Sequence, residues 1–70
     1  MSSMENVGEK VKALRISEHM TQQQVADMLQ IDRSNYSKYE LGKLEFGYEM
    51  LIKLAKLFDV TTDYLLGLED

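Results

Sequence analysis

The apolar residues near the start of the chain recur with a helical period. Val7, Val11 and Leu14 follow one another at intervals of four and three residues, so they share one face of an α-helix. This pattern predicts a first helix over residues 5–18. Residues 1–4 show no such pattern and are expected to form a disordered leader to a single domain over residues 5–70.

Two polar residues with capping chemistry mark the starts of the next helices. Thr21 offers a side-chain oxygen to the first free amides, and Gln24, three residues later, can reach back to the cap. This pair predicts a second helix over residues 22–29. Asp32 is the next residue of this kind, and a glycine suited to end a helix follows ten residues later, so a third helix is expected over residues 33–41.

The predicted third helix has little to bury. Its apolar face consists of Tyr36 and Tyr39, with Leu41 at the end, and five polar side chains must point outward: Arg33, Ser34, Asn35, Ser37 and Lys38. Aromatic side chains among cations can stack on nucleic-acid bases, but the spacing of three residues between the tyrosines favours the edge of a core. We therefore expect the function of this helix to lie in its polar face.

The second half of the chain predicts two more helices. Gly47 can cap a fourth helix, with Phe46 and Leu51 forming a hydrophobic staple across its start. Thr61 caps a short fifth helix, and the apolar positions of the fourth are Leu51, Ile52, Leu54, Ala55 and Phe58. The pattern shows no strand and no repeat, so the expected fold class is all-α with five helices.

The composition excludes several classes of function. The chain has 70 residues, no cysteine and a single histidine, so it offers neither a disulfide framework nor a Cys/His zinc site. It has no cysteine nucleophile and no glycine-rich phosphate loop, and we expect no cofactor, no metal and no enzymatic activity. No apolar run approaches the length of about 20 residues that spans a bilayer, so we expect no membrane partner and a cytoplasmic location with the nucleoid.

The charges are unevenly distributed along the chain. The formal net charge is −4, which opposes binding to phosphates. The stretch 33–43, however, contains three cations and one anion, a net charge of +2, so the rest of the chain carries −6. A modest basic segment therefore coincides with the polar third helix.

Two helices joined by three residues, the second with a polar outer face, are typical of a helix-turn-helix. The segment QQQVADMLQIDRSNYSKYELGK, together with LIKLAKLFDVTTDYLLG, resembles the Xre/Cro family of phage repressors and bacterial regulators. The resemblance implies a compact five-helix, lambda-repressor-like domain. It also implies a sequence-specific regulator of transcription, in most cases a repressor, that reads double-stranded DNA with the third helix.

The residues of the third helix have the chemistry that this reading needs. Arg33 can donate two hydrogen bonds to guanine, Ser34 and Lys38 lie near the same face, and Asn35 can pair with adenine or contact a phosphate. Ser37 is expected at a phosphate. The resemblance adds Gln22 and Lys43 as contacts to the DNA backbone, Ala26 as the small residue where helices 2 and 3 cross, and a structural salt bridge between Arg15 and Glu40.

One departure from the family pattern concerns the turn. The family's turn usually contains glycine where this chain has Gln30, so we expect the turn to be either reshaped or strained, because a left-handed conformation costs other residues about 1–2 kcal/mol.

The expected assembly is a homodimer on a two-fold symmetric operator, because one such domain contacts few bases. By resemblance, the dimer interface involves Phe46, Tyr64 and Leu68. The alternative is a protein-interaction module with the same fold, comparable to an antitoxin, that binds a partner protein through its acidic surface and contacts DNA weakly.

Overall fold

The protein is all-α, as the sequence predicts. A computed structural model describes the backbone of residues 3–69 and the side chains of residues 7–69. Within this range the chain forms five helices and no strand: α1 Ser3–Ser17, α2 Gln22–Leu29, α3 Arg33–Glu40, α4 Tyr48–Phe58 and α5 Thr62–Leu66. In the described part, no helix is both long and apolar enough to cross a membrane.

Side-chain caps set the starts of three helices. The Thr21 hydroxyl accepts a hydrogen bond from the Gln24 amide at 3.0 Å, and the Gln24 side chain accepts one from the Thr21 amide at 2.8 Å. Asp32 and Thr61 cap α3 and α5 in the same way, each accepting from the backbone amide three residues on. These bonds satisfy amides that the first helical turn leaves free, which is why the local sequence predicted the starts correctly.

The first helix begins earlier than predicted. It starts at Ser3, inside the expected leader of residues 1–4, because no proline or glycine precedes Glu5 to stop the helix from extending. Residues 1–2 of that leader lie outside the described residues.

The turn between α2 and α3 is strained. Gln30 adopts the left-handed conformation with φ 62° and ψ 40°, and its amide donates to the Asp27 carbonyl at 3.1 Å. The amide of Ile31 donates to the Ala26 carbonyl at 3.0 Å. Gln30 therefore ends α2 in the left-handed backbone conformation that glycine usually adopts at a helix end. Of the two alternatives for this turn, the structure has the strained one.

The core draws at least one side chain from every helix. Helix α1 packs against α5 and α3, α2 against α3, and α4 against α5. Six large side chains are fully buried: Val7, Val11, Val25, Tyr36, Leu54 and Leu65. Ala26 is also fully buried, which agrees with its expected place near the α2–α3 contact, and Tyr36 is thereby part of the core rather than a stacking platform.

Two apolar residues lie outside the core, contrary to prediction. Leu41 follows the last residue of α3 as its C-cap and is 62% exposed, because five residues after the buried Tyr36 it lies about 140° away around the helix. Ile52 is 46% exposed. The buried stripe of α4 runs through Leu51, Leu54 and Phe58, and a residue directly after Leu51 lies about 100° away around the helix.

Candidate nucleic-acid interface

Helix α3 is fixed to the core by its aromatic residues. Tyr36 is completely buried, and the ring of Tyr39 packs against the ring of Phe46 with centroids 4.9 Å apart. The apolar face expected from the sequence is therefore real, although it is short. The opposite face of α3 is left at the surface of the molecule.

A buried polar network holds the C-terminal end of α3. Glu40 is only 6% exposed, and its Oε2 accepts from the Nε of Arg15 at 2.7 Å and from the hydroxyl of Tyr36. Its Oε1 accepts from Gln22 Nε2 at 3.0 Å and from Arg15 Nη2 at 3.3 Å. The guanidinium of Arg15 also donates to the Met20 carbonyl at 2.9 Å. The salt bridge implied by the family resemblance is present, and the network joins α1, α2 and α3.

The charge on Glu40 is stabilised by these donors. Burial raises the pKa of its carboxyl, but the hydrogen bonds from Arg15, Tyr36 and Gln22 outweigh burial and hold the pKa below its ordinary value. Burial, followed by the bond to Glu40, raises the pKa of the Tyr36 hydroxyl far above its usual range. The network therefore consists of a carboxylate, a neutral tyrosine and a guanidinium at neutral pH.

Gly8, which the sequence pattern did not single out, lets α1 approach the end of α3 closely. A Cβ atom on Gly8 would lie 2.6 Å from the carbonyl oxygens of both Tyr39 and Glu40, so α1 touches the end of α3 backbone to backbone. Glycine inside a helix is unfavourable, so a close approach of this kind is one reason to find it there. The unfavourable position of Gly8 inside the first predicted helix was the signal that could have pointed to this contact.

A second polar cluster, fully exposed, lies at the N-terminal end of α3. Asp32 accepts from the backbone amide of Asn35 at 3.3 Å, from the Asn35 side-chain amide at 2.8 Å, and from the hydroxyl of Ser34. The Ser34 hydroxyl and then the Asn35 amide hold the pKa of the Asp32 carboxyl below its ordinary value. The sequence predicted the cap but not its bonds to two expected base readers.

The four expected base readers lie on the exposed surface of one helix. Arg33, Ser34, Asn35 and Lys38 are all exposed. Lys43 is also exposed, and its amide closes the end of α3 by donating to the Lys38 carbonyl at 2.9 Å.

The structure brings two of the expected backbone contacts together. Gln22 and Ser37, both half-buried, line one polar groove of about 440 Å³ between the first three helices. Lys12 and Glu9 of α1 also line this groove, and Lys43 does not. Gln22 donates to Glu40, so it connects the groove to the buried network.

The expected dimer residues differ in their exposure. Phe46 is 5% exposed and belongs to the core, where packing against Tyr39 leaves almost none of its ring for a partner. Tyr64 is half-buried, and the Lys10 ammonium lies 5.3 Å from the centre of its ring. Leu68 is 73% exposed.

Comparison with known proteins gives matches over almost the whole chain. Residues 8–70 match the family described as a helix-turn-helix domain. The chain is 46% identical over 59 residues to the SPbeta prophage-derived uncharacterized HTH-type transcriptional regulator YonR of Bacillus subtilis, a match that covers 84% of this chain and 55% of YonR. The uncharacterized HTH-type transcriptional regulator YqaE of the same organism is 45% identical over 58 residues, which are 83% of this chain and 50% of YqaE. The chain thus spans about half the length of these relatives.

A solved structure has a similar fold. The crystal structure of the clp gene regulator ClgR from C. glutamicum superimposes with a TM-score of 0.85, covering 94% of this chain and 86% of ClgR. The sequences are 18% identical, so this likeness concerns the fold alone.

Proposed function

This chain belongs to the helix-turn-helix family of Xre-type regulators, and we propose that it binds double-stranded DNA sequence-specifically to regulate transcription, with α3 in the major groove. The observation that carries the proposal is the placement of α3. Its aromatic side and its C-terminal end are fixed in the core, while its polar side, with two cations, is exposed except for the half-buried Ser37.

The exposed face of α3 has the chemistry of direct base readout. The guanidinium of Arg33 can donate two parallel hydrogen bonds to guanine O6 and N7, a contact worth about 1–3 kcal/mol of discrimination. Ser34, Asn35 and Lys38 complete the surface that would face the base edges. Gln22, Ser37 and Lys43 would contact phosphates and fix the register without carrying sequence information.

The proposed assembly on DNA is a homodimer. Two copies would place their α3 helices in half-sites about 34 Å apart on a two-fold symmetric operator. Exposed Leu68, with the half-buried Tyr64, supports an interface at the end of α5. Blocking a promoter in this way would make the chain a repressor, acting with the DNA of the nucleoid.

Selection from a random pool of duplexes tests the proposal. We expect enrichment of a two-fold symmetric site, with affinity that falls steeply as salt is raised because phosphate contacts release counterions. The double variant Arg33→Ala/Lys38→Ala should lose the selected site. The double variant Lys53→Ala/Lys56→Ala removes the same charge from exposed positions on α4 and should retain the sequence preference.

The acidic remainder of the chain favours a second candidate, a module that binds a partner protein. With −6 outside residues 33–43, long-range attraction to DNA is weak. Under this candidate the Arg33→Ala/Lys38→Ala variant would leave a partner complex intact. Selection of no duplex at any salt concentration would overturn the DNA-binding proposal.

A further inference from the structure

Asp32 controls more than the start of α3. Its two carboxylate oxygens accept three hydrogen bonds: Oδ2 from the Ser34 hydroxyl and the Asn35 backbone amide, and Oδ1 from the Asn35 side-chain amide. Ser34 and Asn35 are two of the four residues that face the proposed DNA site. One carboxylate therefore constrains the hydrogen-bonding capacity of two base readers before DNA arrives.

The bond to Asp32 makes the Ser34 hydroxyl an acceptor toward DNA. A serine hydroxyl has one proton and two lone pairs, and its proton is used in the bond to Asp32 Oδ2. The outward side of the oxygen can then accept but cannot donate. In the major groove the hydrogen-bond donors are the exocyclic amines of adenine and cytosine, whereas guanine and thymine present acceptors at the corresponding positions.

The same carboxylate fixes the orientation of the Asn35 amide. A carboxylate can only accept, so the NH₂ end of Asn35 must face Asp32, as the 2.8 Å contact from Nδ2 to Oδ1 shows. One N–H and both lone pairs of the amide oxygen remain available. This set accepts from adenine N6 and donates to adenine N7, which is the paired contact that distinguishes adenine from the other bases.

We propose that Asp32 is a specificity-determining residue that acts through Ser34 and Asn35, selecting amino-bearing bases, adenine or cytosine opposite Ser34 and adenine opposite Asn35. This inference rests on the proposed function, because it assumes that α3 lies in the major groove.

The Asp32 carboxylate also accepts from a free amide in the first turn of α3 and places a negative charge there. A phosphate is thereby excluded from a helix N-terminus that would otherwise attract anions.

The variant Asp32→Asn separates this role from capping. Asparagine caps helices about as well as aspartate, so α3 should keep its start. It supplies one acceptor oxygen where the carboxylate has two, and its NH₂ group cannot accept from Ser34 or Asn35. The matched control is Asp27→Asn, which makes the same chemical change at an exposed position on α2, where the carboxylate accepts only from Gln23 among the side-chain bonds of the described residues.

Duplex selection with wild type, Asp32→Asn and Asp27→Asn is the test, and Ser34→Ala and Asn35→Ala identify the base pairs that each residue reads. We expect Asp32→Asn to reduce the preference at those base pairs by about tenfold and to bind random duplex more tightly. Asp27→Asn should retain the preference. Circular dichroism should give the same helix content for all three proteins.

The outcomes distinguish the two proposals. If wild type selects a site and Asp32→Asn selects the same bases with the same stringency, the role of Asp32 is overturned while the proposed function stands. If the base pair read by Asn35 is G·C and not A·T, the role is overturned as well. If wild type selects no site, the proposed function fails and the inference fails with it.

Discussion

The two ends of α3 are each organised by one carboxylate, and they differ in how much water reaches it. Glu40, at the C-terminal end, is 6% exposed and bonds to side chains from α1, α2 and α3. Asp32, at the N-terminal end, is exposed, and among the described residues its carboxylate bonds to those two and three positions away. One carboxylate joins distant parts of the chain, and the other orders its immediate neighbours.

The two carboxylates therefore have different roles. Glu40 positions α3 in the fold, and Asp32 orders residues that are proposed to read DNA. A buried carboxylate must keep all its donors, because an unpaired buried charge is very costly, so the Glu40 end has one arrangement. The Asp32 carboxylate instead bonds within the first turn of α3, so it orders Ser34 and Asn35 without tying them to another helix. A buried anchor at one end and exposed, ordered base readers at the other suit a helix that enters a groove.

The largest expected effect comes from breaking the buried end. Glu40→Ala would leave the Arg15 guanidinium, the Tyr36 hydroxyl and the Gln22 amide without their partner. We expect a loss of about 3–5 kcal/mol in the free energy of unfolding, measured by urea denaturation. Glu45→Ala, which removes the same group from an exposed position, should change stability by less than about 0.5 kcal/mol. Equal losses from both variants would contradict the role of the network.

The next effect comes from the packing contact at the same end. Gly8→Ala places a methyl group 2.6 Å from two backbone carbonyl oxygens of α3, so the helices must move apart. We expect destabilisation by about 1–3 kcal/mol despite the better helix propensity of alanine. Gly47→Ser is the control, because that position has open space within 4 Å and serine is a good cap. A Gly8→Ala protein as stable as wild type would show that α1 and α3 can separate freely.

The sequence predicted local features of both ends and missed the long-range ones. The caps at Thr21, Asp32 and Thr61 are interactions over three residues, so local sequence was enough to place the helix starts. The burial of Phe46 depends on where Tyr39 lies, and no spacing along the chain gives that position. The contact at Gly8 joins residues more than 30 positions apart, which no local pattern reports.

The candidate site was predictable to a similar extent. Exposure of Arg33, Asn35 and Lys38 followed from the thin apolar face of α3, because polar residues off that face must meet solvent. The hydrogen bonds of Ser34 and Asn35 to Asp32 depend on which rotamers the side chains adopt, whereas position along the chain indicates only that these residues are close. The family resemblance implied the pairing of Arg15 with Glu40, and the structure alone shows that Gln22 bonds to Glu40 as well.

Acid should destabilise the protein more through the buried Glu40 than through the exposed Asp32. The pKa of Glu40 is held below its ordinary value of 4.5, so its contribution to stability is complete above that value and is lost as pH falls through the lowered pKa. We expect wild type to lose stability more steeply than Glu40→Gln as pH falls below about 4.5, in urea denaturation at each pH. Asp32→Asn should change the slope less, because solvent screens its bonds. Parallel profiles for wild type and Glu40→Gln would contradict this assignment.

The smallest effect concerns the turn between α2 and α3, which precedes the N-terminal end of α3. Gln30 is held at φ 62°, a conformation that glycine adopts without steric cost. Gln30→Gly should therefore raise the free energy of unfolding by about 0.5–1 kcal/mol, the relief of strain being partly offset by the greater freedom of glycine in the unfolded chain. The control Gln23→Gly makes the same change inside α2 and should lower stability by a similar amount.

Because the closing bonds at Gln30 and Ile31 involve only backbone atoms, the position of Asp32 should be preserved, and binding to the selected duplex should change by less than about twofold. A large loss of binding in a stabilised Gln30→Gly protein would mean that the strained turn, and not the buried network alone, sets the position of the N-terminal end of α3.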